Sequence, residues 1–358
     1  MREQNYKLNF AGQNIYAGLD THLRSWKVTI MHEKIVHKTF VQVPEPEKLA
    51  EYLKRNFPGG NYYSAYEASF CGFSIHKKLL ELGVKNIVVN PADIPTTDKE
   101  RKQKEDKRDS RKIARSLANG ELQGIYIPGD ENIEDRAMLR LREKLTGDLV
   151  RYKCRIKSLL YFHGIKFPEE FENSKYWSKR FIKWIEELKF KQERNNHTID
   201  ILLNQAKSFR EALLTLTREI KKLSQTERYK INVELLTSVP GIGLITAMTL
   251  LTEIDKIDRF LNLDHLCSYV GLVPSTASTG DKDIVRGITP RKNHSLRRII
   301  VEGSWIAVRI DPALSLAFAN YSKKKEKNKA IIKIARKLLN RICYVLRTKN
   351  KYVSCVVK

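Results

Sequence analysis

The chain has 358 residues, enough for two or three domains, and its 42% hydrophobic content excludes a disordered polyelectrolyte. Its 66 Lys and Arg against 41 Asp and Glu leave a formal charge of +25, present in every third of the chain, which points to a polyanionic partner and to nucleic acid first. The scattered Cys71, Cys154, Cys267, Cys343 and Cys355 form no CxxC pair, which excludes a disulfide framework or zinc knuckle; with no signal-type N-terminus and no run of about 18 apolar residues, a cytoplasmic protein without a membrane partner is expected.

In chain order, an apolar run at Ile15 to Leu19, alternation through Trp26, Val28 and Ile30, and Ile35 to Val41 predict three successive strands, hence a meander. A helix is predicted from Glu47 to Asn56, ended by Pro58-Gly59-Gly60, then a strand at Tyr62 to Tyr66, a helix at Phe73 to Leu82 and a strand at Ile87 to Val89. The order β-β-β-α-β-α-β is that of a ribonuclease H-like α/β domain, shared in part by other α/β folds. From Lys99 to Arg115 nine basic and four acidic residues run into a helix with Ile113, Ala114 and Leu117 on one side; a solvated linker is the simpler alternative. Met138, Leu141, Leu145, Tyr152, Ile156 and Leu159, and later Leu202, Phe209, Leu213, Leu216, Ile220 and Leu223, recur at spacings of three, four and seven and predict two long helices with coiled-coil-like packing seams. The last third, opening with LLTSVPGIGLITAMTLLTEI and closing with basic helical segments, reads as a second, mainly helical domain. The expected divisions are 1–125, a helical region at 126–232, a C-terminal domain at 233–346 and a basic tail at 347–358.

Four carboxylates fall at element ends. Asp20 ends the first strand, Glu67 ends the fourth, and Asp106 and Asp109 stand three apart at a helix start. Any one of them could cap a turn or balance a lysine. Together they would repel one another unless divalent cations neutralised them, and oxygen-only ligation favours Mg²⁺ or Mn²⁺. Such a site performs phosphoryl transfer with ions about 3.5 to 4 Å apart. An actin-like ATPase also carries an aspartate after a glycine-containing strand, but it needs glycine-rich phosphate loops that are absent from this sequence.

Pro240-Gly241-Ile242-Gly243 between two apolar helices has the pattern of a helix-hairpin-helix, whose backbone N–H groups can meet a phosphate; a plain αα-hairpin turn fits equally well. The stretch from Tyr269 to Lys282 is a hydroxyl-rich loop, followed by Arg286, Arg291, Lys292, Arg297 and Arg298 as candidate nucleic-acid contacts. It is either ordinary turn chemistry or the source of a hydroxyl that attacks a phosphate among stabilising cations.

GLDTHLRSWKVTI, YEASFCGF, EDKRDSRKIARSL, LLTSVPGIGLITAMTLL, YVGLVPSTASTG and RKNHSLRRII together resemble the DEDD-type transposases of the insertion-sequence 110/1111 group, which includes Piv-like DNA invertases. The resemblance spans nearly the whole chain. It implies a RuvC-like catalytic domain, a coiled-coil insertion and a C-terminal transposase domain supplying a nucleophilic serine to a composite site. It also implies a bridge RNA that selects donor and target DNA by base pairing. Carried over, the tetrad is Asp20, Glu67, Asp106 and Asp109. The nucleophile of the family directly precedes a glycine; here Thr279 precedes Gly280 and Ser278 stands one step earlier. Ser278 is favoured as the less hindered primary hydroxyl, with Thr279 kept beside it.

The expected activity is therefore a Mg²⁺-dependent, RNA-guided DNA recombinase acting as a dimer or tetramer in a prokaryotic nucleoid. A RuvC-like junction nuclease without a covalent intermediate, and a non-catalytic basic nucleic-acid-binding protein, are the alternatives.

Overall fold

A computed structural model describes residues 9–95, 106–171, 177–279 and 282–354, without the side chains of 106–108, 276–279 and 282–286. The chain divides into two compact units, Met1–Ile127 and Pro128–Lys358.

In the first unit, β1 (Asn14–Thr21), β2 (Trp26–His32), β3 (Ile35–Gln42), β4 (Asn61–Glu67) and β5 (Lys85–Val89) form one sheet in the order β3-β2-β1-β4-β5. The first three strands make the expected antiparallel meander, and β4 and β5 join in parallel after the crossovers α1 (Pro46–Asn56) and α2 (Ser74–Glu81). Pro46 opens α1, where a missing N–H costs nothing, and Lys54 and Arg55 in its last turn oppose the helix dipole.

Both faces of the sheet are covered, which is why its middle strands are apolar on alternate residues of either parity. Ile15, Ala17, Leu19 and Val28 pack with Leu49 and Leu53 of α1 and Leu79 of α2. On the other face Ala65 and Val89 pack with Ile113 of α3 (Asp106–Ala118). From Asp106 onward the mixed-charge stretch is thus no solvated linker, because Ser110, Ile113 and Ala114 are buried against the sheet. Residues 96–105 of that stretch lie outside the described ones.

In the second unit, α4 (Asp130–Phe162) and α6 (Glu193–Leu223) run side by side in opposite directions, Arg142 reaching Thr217 and Tyr152 meeting Phe209. The predicted seam needs one correction. Leu141 is 47% exposed, whereas the neighbouring Leu139 is buried, because this part of α4 packs into the C-terminal core instead of facing only α6. An unanticipated helix, α5 (Lys179–Glu187), lies against the long pair through Phe181 and Ile185, in a core rich in aromatic rings.

The rest of this unit is α7 (Lys230–Thr237), α8 (Leu244–Ile254), α9 (Leu263–Val270), β6 (Pro274–Thr279), β7 (Lys282–Ile288), α10 (His294–Ile310), α11 (Pro312–Ser322) and α12 (Lys327–Thr348). The basic segment α12 buries Ile334, Leu338 and Ile342 completely, so its charges form one face of a core helix. The hydroxyl-rich stretch read as a loop is a β-hairpin: β6 pairs antiparallel with β7, Ser278 opposite Asp283 and Thr279 opposite Lys282. The sequence cue is a pair of runs containing β-branched residues around Gly280-Asp281, a hairpin signal that the Ser and Thr content obscures. No described helix is long and apolar enough to cross a membrane.

Candidate active site

Asp20 and Glu67 sit at neighbouring ends of parallel strands. The β1/β4 register runs Gly18 with Ala65 and Leu19 with Tyr66, so the next step sets Asp20 beside Glu67. Residues two apart share a face of a strand. Gly18 meets α3, and Ala65 shares a core with Ile113 of α3, so Asp20 and Glu67 belong to the face that α3 covers.

α3 approaches that face closely enough to require glycine. A Cβ on Gly18 would stand 2.1 Å from the carbonyl oxygen of Ser110 and 2.3 Å from the nitrogen of Ala114. The Ser110 hydroxyl also bonds that of Thr29 on β2 at 2.9 Å. This contact seats Asp109, one residue before Ser110, on the helix turn that crosses β1. Asp106 begins the same helix; its side chain is outside the described residues.

The carboxylates already have cationic or polar company. His22 Nε2 lies 3.2 Å from Asp20, and Lys112 Nζ 3.7 Å from Asp109. Both acids keep partial access to solvent, with 19% and 28% of their side chains exposed. Among the described residues no three His, Cys, Asp or Glu side chains stand close enough to hold a metal ion. The donor set, two carboxylates at adjacent strand ends and an Asp-bearing helix packed on the same face of the sheet at Gly18, fits a hard divalent cation in its oxygen-only chemistry.

In the second unit the predicted contacts separate into two kinds. Gly241 has φ +86°, and a Cβ there would lie 2.2 Å from the Gly303 carbonyl of α10, so its first role is to let two backbones touch. Gly243 is exposed with nothing within 4 Å of such an atom, at the N-terminus of α8. Arg297 donates to the carbonyls of Gly271 at 2.9 Å and Thr289 at 2.6 Å, just outside the two ends of the β6–β7 hairpin. Burial pushes its guanidinium below the ordinary arginine value. Arg298 pairs with Glu143 at 3.1 Å and Glu302 at 3.3 Å. Arg291 and Lys292 are exposed, while the side chain of Arg286 is outside the described residues.

Sequence reasoning missed the group behind this hairpin. Glu253 of α8, 1% exposed, takes a two-pronged bond from Arg140 at 2.6 and 2.9 Å and a third from Asn293 at 2.9 Å. Burial raises its carboxyl, but the bond and charge of Arg140, the bond from Asn293 and the charge of Arg136 outweigh this and hold it below the usual value. Tyr269 donates to the Glu253 backbone carbonyl at 3.1 Å. The available signal was an acid inside the apolar run LLTEI together with Arg136 and Arg140 four apart on another helix.

Comparison with known proteins shows the family. A transposase model of the DEDD, IS110 type matches residues 17–164, and a model described as the transposase IS116/IS110/IS902 family matches residues 233–320. The transposase for insertion sequence element IS1533 of Leptospira borgpetersenii is 28% identical over 309 residues, 82% of this chain and 85% of that protein. That for IS1111A of Coxiella burnetii is 22% identical over 289 residues, 78% and 73% of the two chains, and that for IS1328 of Yersinia enterocolitica is 39% identical over 67 residues, 19% and 20%. One match spans the carboxylate-bearing sheet and the other the PGIG turn and the β6–β7 hairpin, and relatives of similar length join the two; the chain belongs to the IS110/IS1111 group of insertion-sequence transposases.

Proposed function

We propose that this transposase cuts and rejoins DNA strands at a two-part site: Asp20, Glu67, Asp106 and Asp109 hold Mg²⁺ or Mn²⁺, and a hydroxyl of Ser278 or Thr279 is the nucleophile. The observation that carries the reading is the adjacency of Asp20 and Glu67 at parallel strand ends, with α3 pressed onto their face at Gly18. The 3-2-1-4-5 strand order with helices on both faces supports a ribonuclease H-like, RuvC-like domain.

When bound, the ion supplies Lewis-acid polarisation of a scissile phosphate. The four carboxylates position and neutralise it. The hydroxyl oxygen forms a bond to phosphorus as the bond to the departing deoxyribose oxygen breaks; the hydroxyl proton goes to solvent or a nearby base, and the departing oxygen takes up a proton. Reversal of the step with another strand end rejoins DNA without hydrolysis. Ser278 and Thr279 are alternatives rather than partners, because a single hydroxyl oxygen forms the bond to phosphorus. Arg286, Arg291 and Lys292 contact DNA phosphates, joined by Gly243 at the uncapped start of α8 in a helix-hairpin-helix, while Gly241, Arg297 and Arg298 hold the framework. The family resemblance adds a bridge RNA as guide and a dimer or tetramer as the acting species.

The test is a covalent protein–DNA adduct formed in Mg²⁺. Asp20→Asn is expected to reduce strand cleavage at least 100-fold, on the order of a lost ligand in a metal-assisted site, while DNA binding persists. One of Ser278→Ala and Thr279→Ala abolishes the adduct and the other retains it. An adduct surviving both removes the nucleophile, and Mg²⁺-dependent cleavage with no adduct in the unaltered protein favours the hydrolytic nuclease.

A further inference from the structure

The second unit carries a groove that nothing in the proposed reaction uses. It lies between α4, α5 and α6, has a volume of about 670 Å³, and its floor is apolar, formed by Leu149, Ile182, Leu203 and Ala206. Its rim is charged in one sense: Lys153, Lys179, Lys207 and Arg210 against the single carboxylate of Glu211. Lys207 is paired with Glu186 outside this set. Lys153 has a different neighbour, its ammonium standing 5.3 Å from the centre of the Trp177 ring. Burial, and then the positive charge of Arg210, lower the affinity of Lys153 for its proton. Two cations thus stand close beside an indole, with Glu211 the one carboxylate among the described lining residues. Trp177 itself is held at φ +69°, a conformation that a tryptophan rarely adopts and that needs the surrounding structure to maintain it.

Such a groove suits a ligand with a flat apolar part and a negative charge next to it. The volume lies in the range of a small-molecule site and is too small for a docked helix, whose diameter is about 10–12 Å over several turns. A nucleotide of an unpaired strand has both parts: a base can lie on Trp177, and its flanking phosphates can meet Lys153 and Arg210. We propose that the groove between α4, α5 and α6 binds an unpaired nucleotide of a single strand, with the base against Trp177 and the phosphates at Lys153 and Arg210. The site requires neither the carboxylates of the first unit nor the hairpin hydroxyls.

The probes are the octanucleotides of 5-iodouridine and 5-iodo-2′-deoxyuridine, photocrosslinked to the full chain and mapped by peptide mass. A crosslink at Trp177 is expected, falling at least fivefold in Lys153→Gln/Arg210→Gln, whose changes lie at the rim, while crosslinks elsewhere on this basic chain persist. Asp20→Asn is expected to keep the crosslink, so failure of the metal reading leaves this result unchanged. A stronger ribonucleotide crosslink assigns the strand to RNA, a stronger deoxyribonucleotide one to DNA, and either supports the site. Crosslinks that avoid Trp177, or one there that the double substitution leaves unchanged, overturn it.

Discussion

At the scale of single residues, Gly18 and Glu253 carry consequences out of proportion to their size. Gly18 lets α3 rest on β1, so any side chain there drives the helix from the strand ends that bear Asp20 and Glu67. Gly18→Val is expected to cost about 3 kcal/mol by overpacking against backbone and to lower strand cleavage further than the loss of folded protein explains; thermal unfolding and cleavage rates measured together check this. Glu253 acts through charge. Its folded-state carboxyl binds protons more weakly than in the unfolded chain, so its contribution is complete above the unfolded value and is lost as pH falls through the depressed folded one. Glu253→Gln is expected to destabilise by about 2 kcal/mol at pH 7, leaving Arg140 and Arg136 without their counter-charge, and by less as pH drops below the ordinary carboxylate range. Urea unfolding across that range measures the convergence of the two proteins. The carboxylates proposed for the site were legible as residues, because strand ends and a helix start are local features. Glu253 was not, because its partners on α4 lie more than a hundred residues earlier.

Among the elements, the β6–β7 hairpin depends on its neighbours more than on itself. Its two strands leave from Leu272 and Val273 and return at Thr289, where Thr289 N–H bonds Val273 and Arg297 ties Gly271 to Thr289. An isolated two-stranded ribbon is only marginally stable, so these ties and the Glu253–Asn293–Tyr269 group set where the hairpin begins. Arg297→Gln is expected to cost about 2 kcal/mol and to raise protection-sensitive exchange in residues 274–288 more than in α12, as hydrogen exchange would show. The meander, both crossover helices and the two long helices were readable because periods of 2 and 3.6 report burial directly. The hairpin escaped because its polar strands carry little hydrophobic alternation, and the exposed Leu141 was misassigned because spacing along α4 does not say which neighbour each stretch faces.

For the whole molecule the net charge of +25 governs association before any shape does. DNA affinity is expected to fall linearly in the logarithm of salt concentration, and Arg291→Gln/Lys292→Gln to reduce the slope by about 2 if both exposed cations meet phosphates; a titration at four salt concentrations decides it, and an unchanged slope would place the contacts elsewhere. By itself the sequence determined the basic net charge, the chain order of strands and helices in the first unit, the long helices and the family, since composition, periodicity and short motifs are written in neighbouring residues. Only the tertiary structure decided that Asp20 stands beside Glu67, that Gly18 and Gly241 are seats for crossing backbones, that Arg297 serves the hairpin frame, and that Lys153 and Arg210 share a groove with Trp177. Each of these is a meeting of residues far apart in the chain, and the energy that selects it, close packing and burial of charge, exists only once the elements have come together.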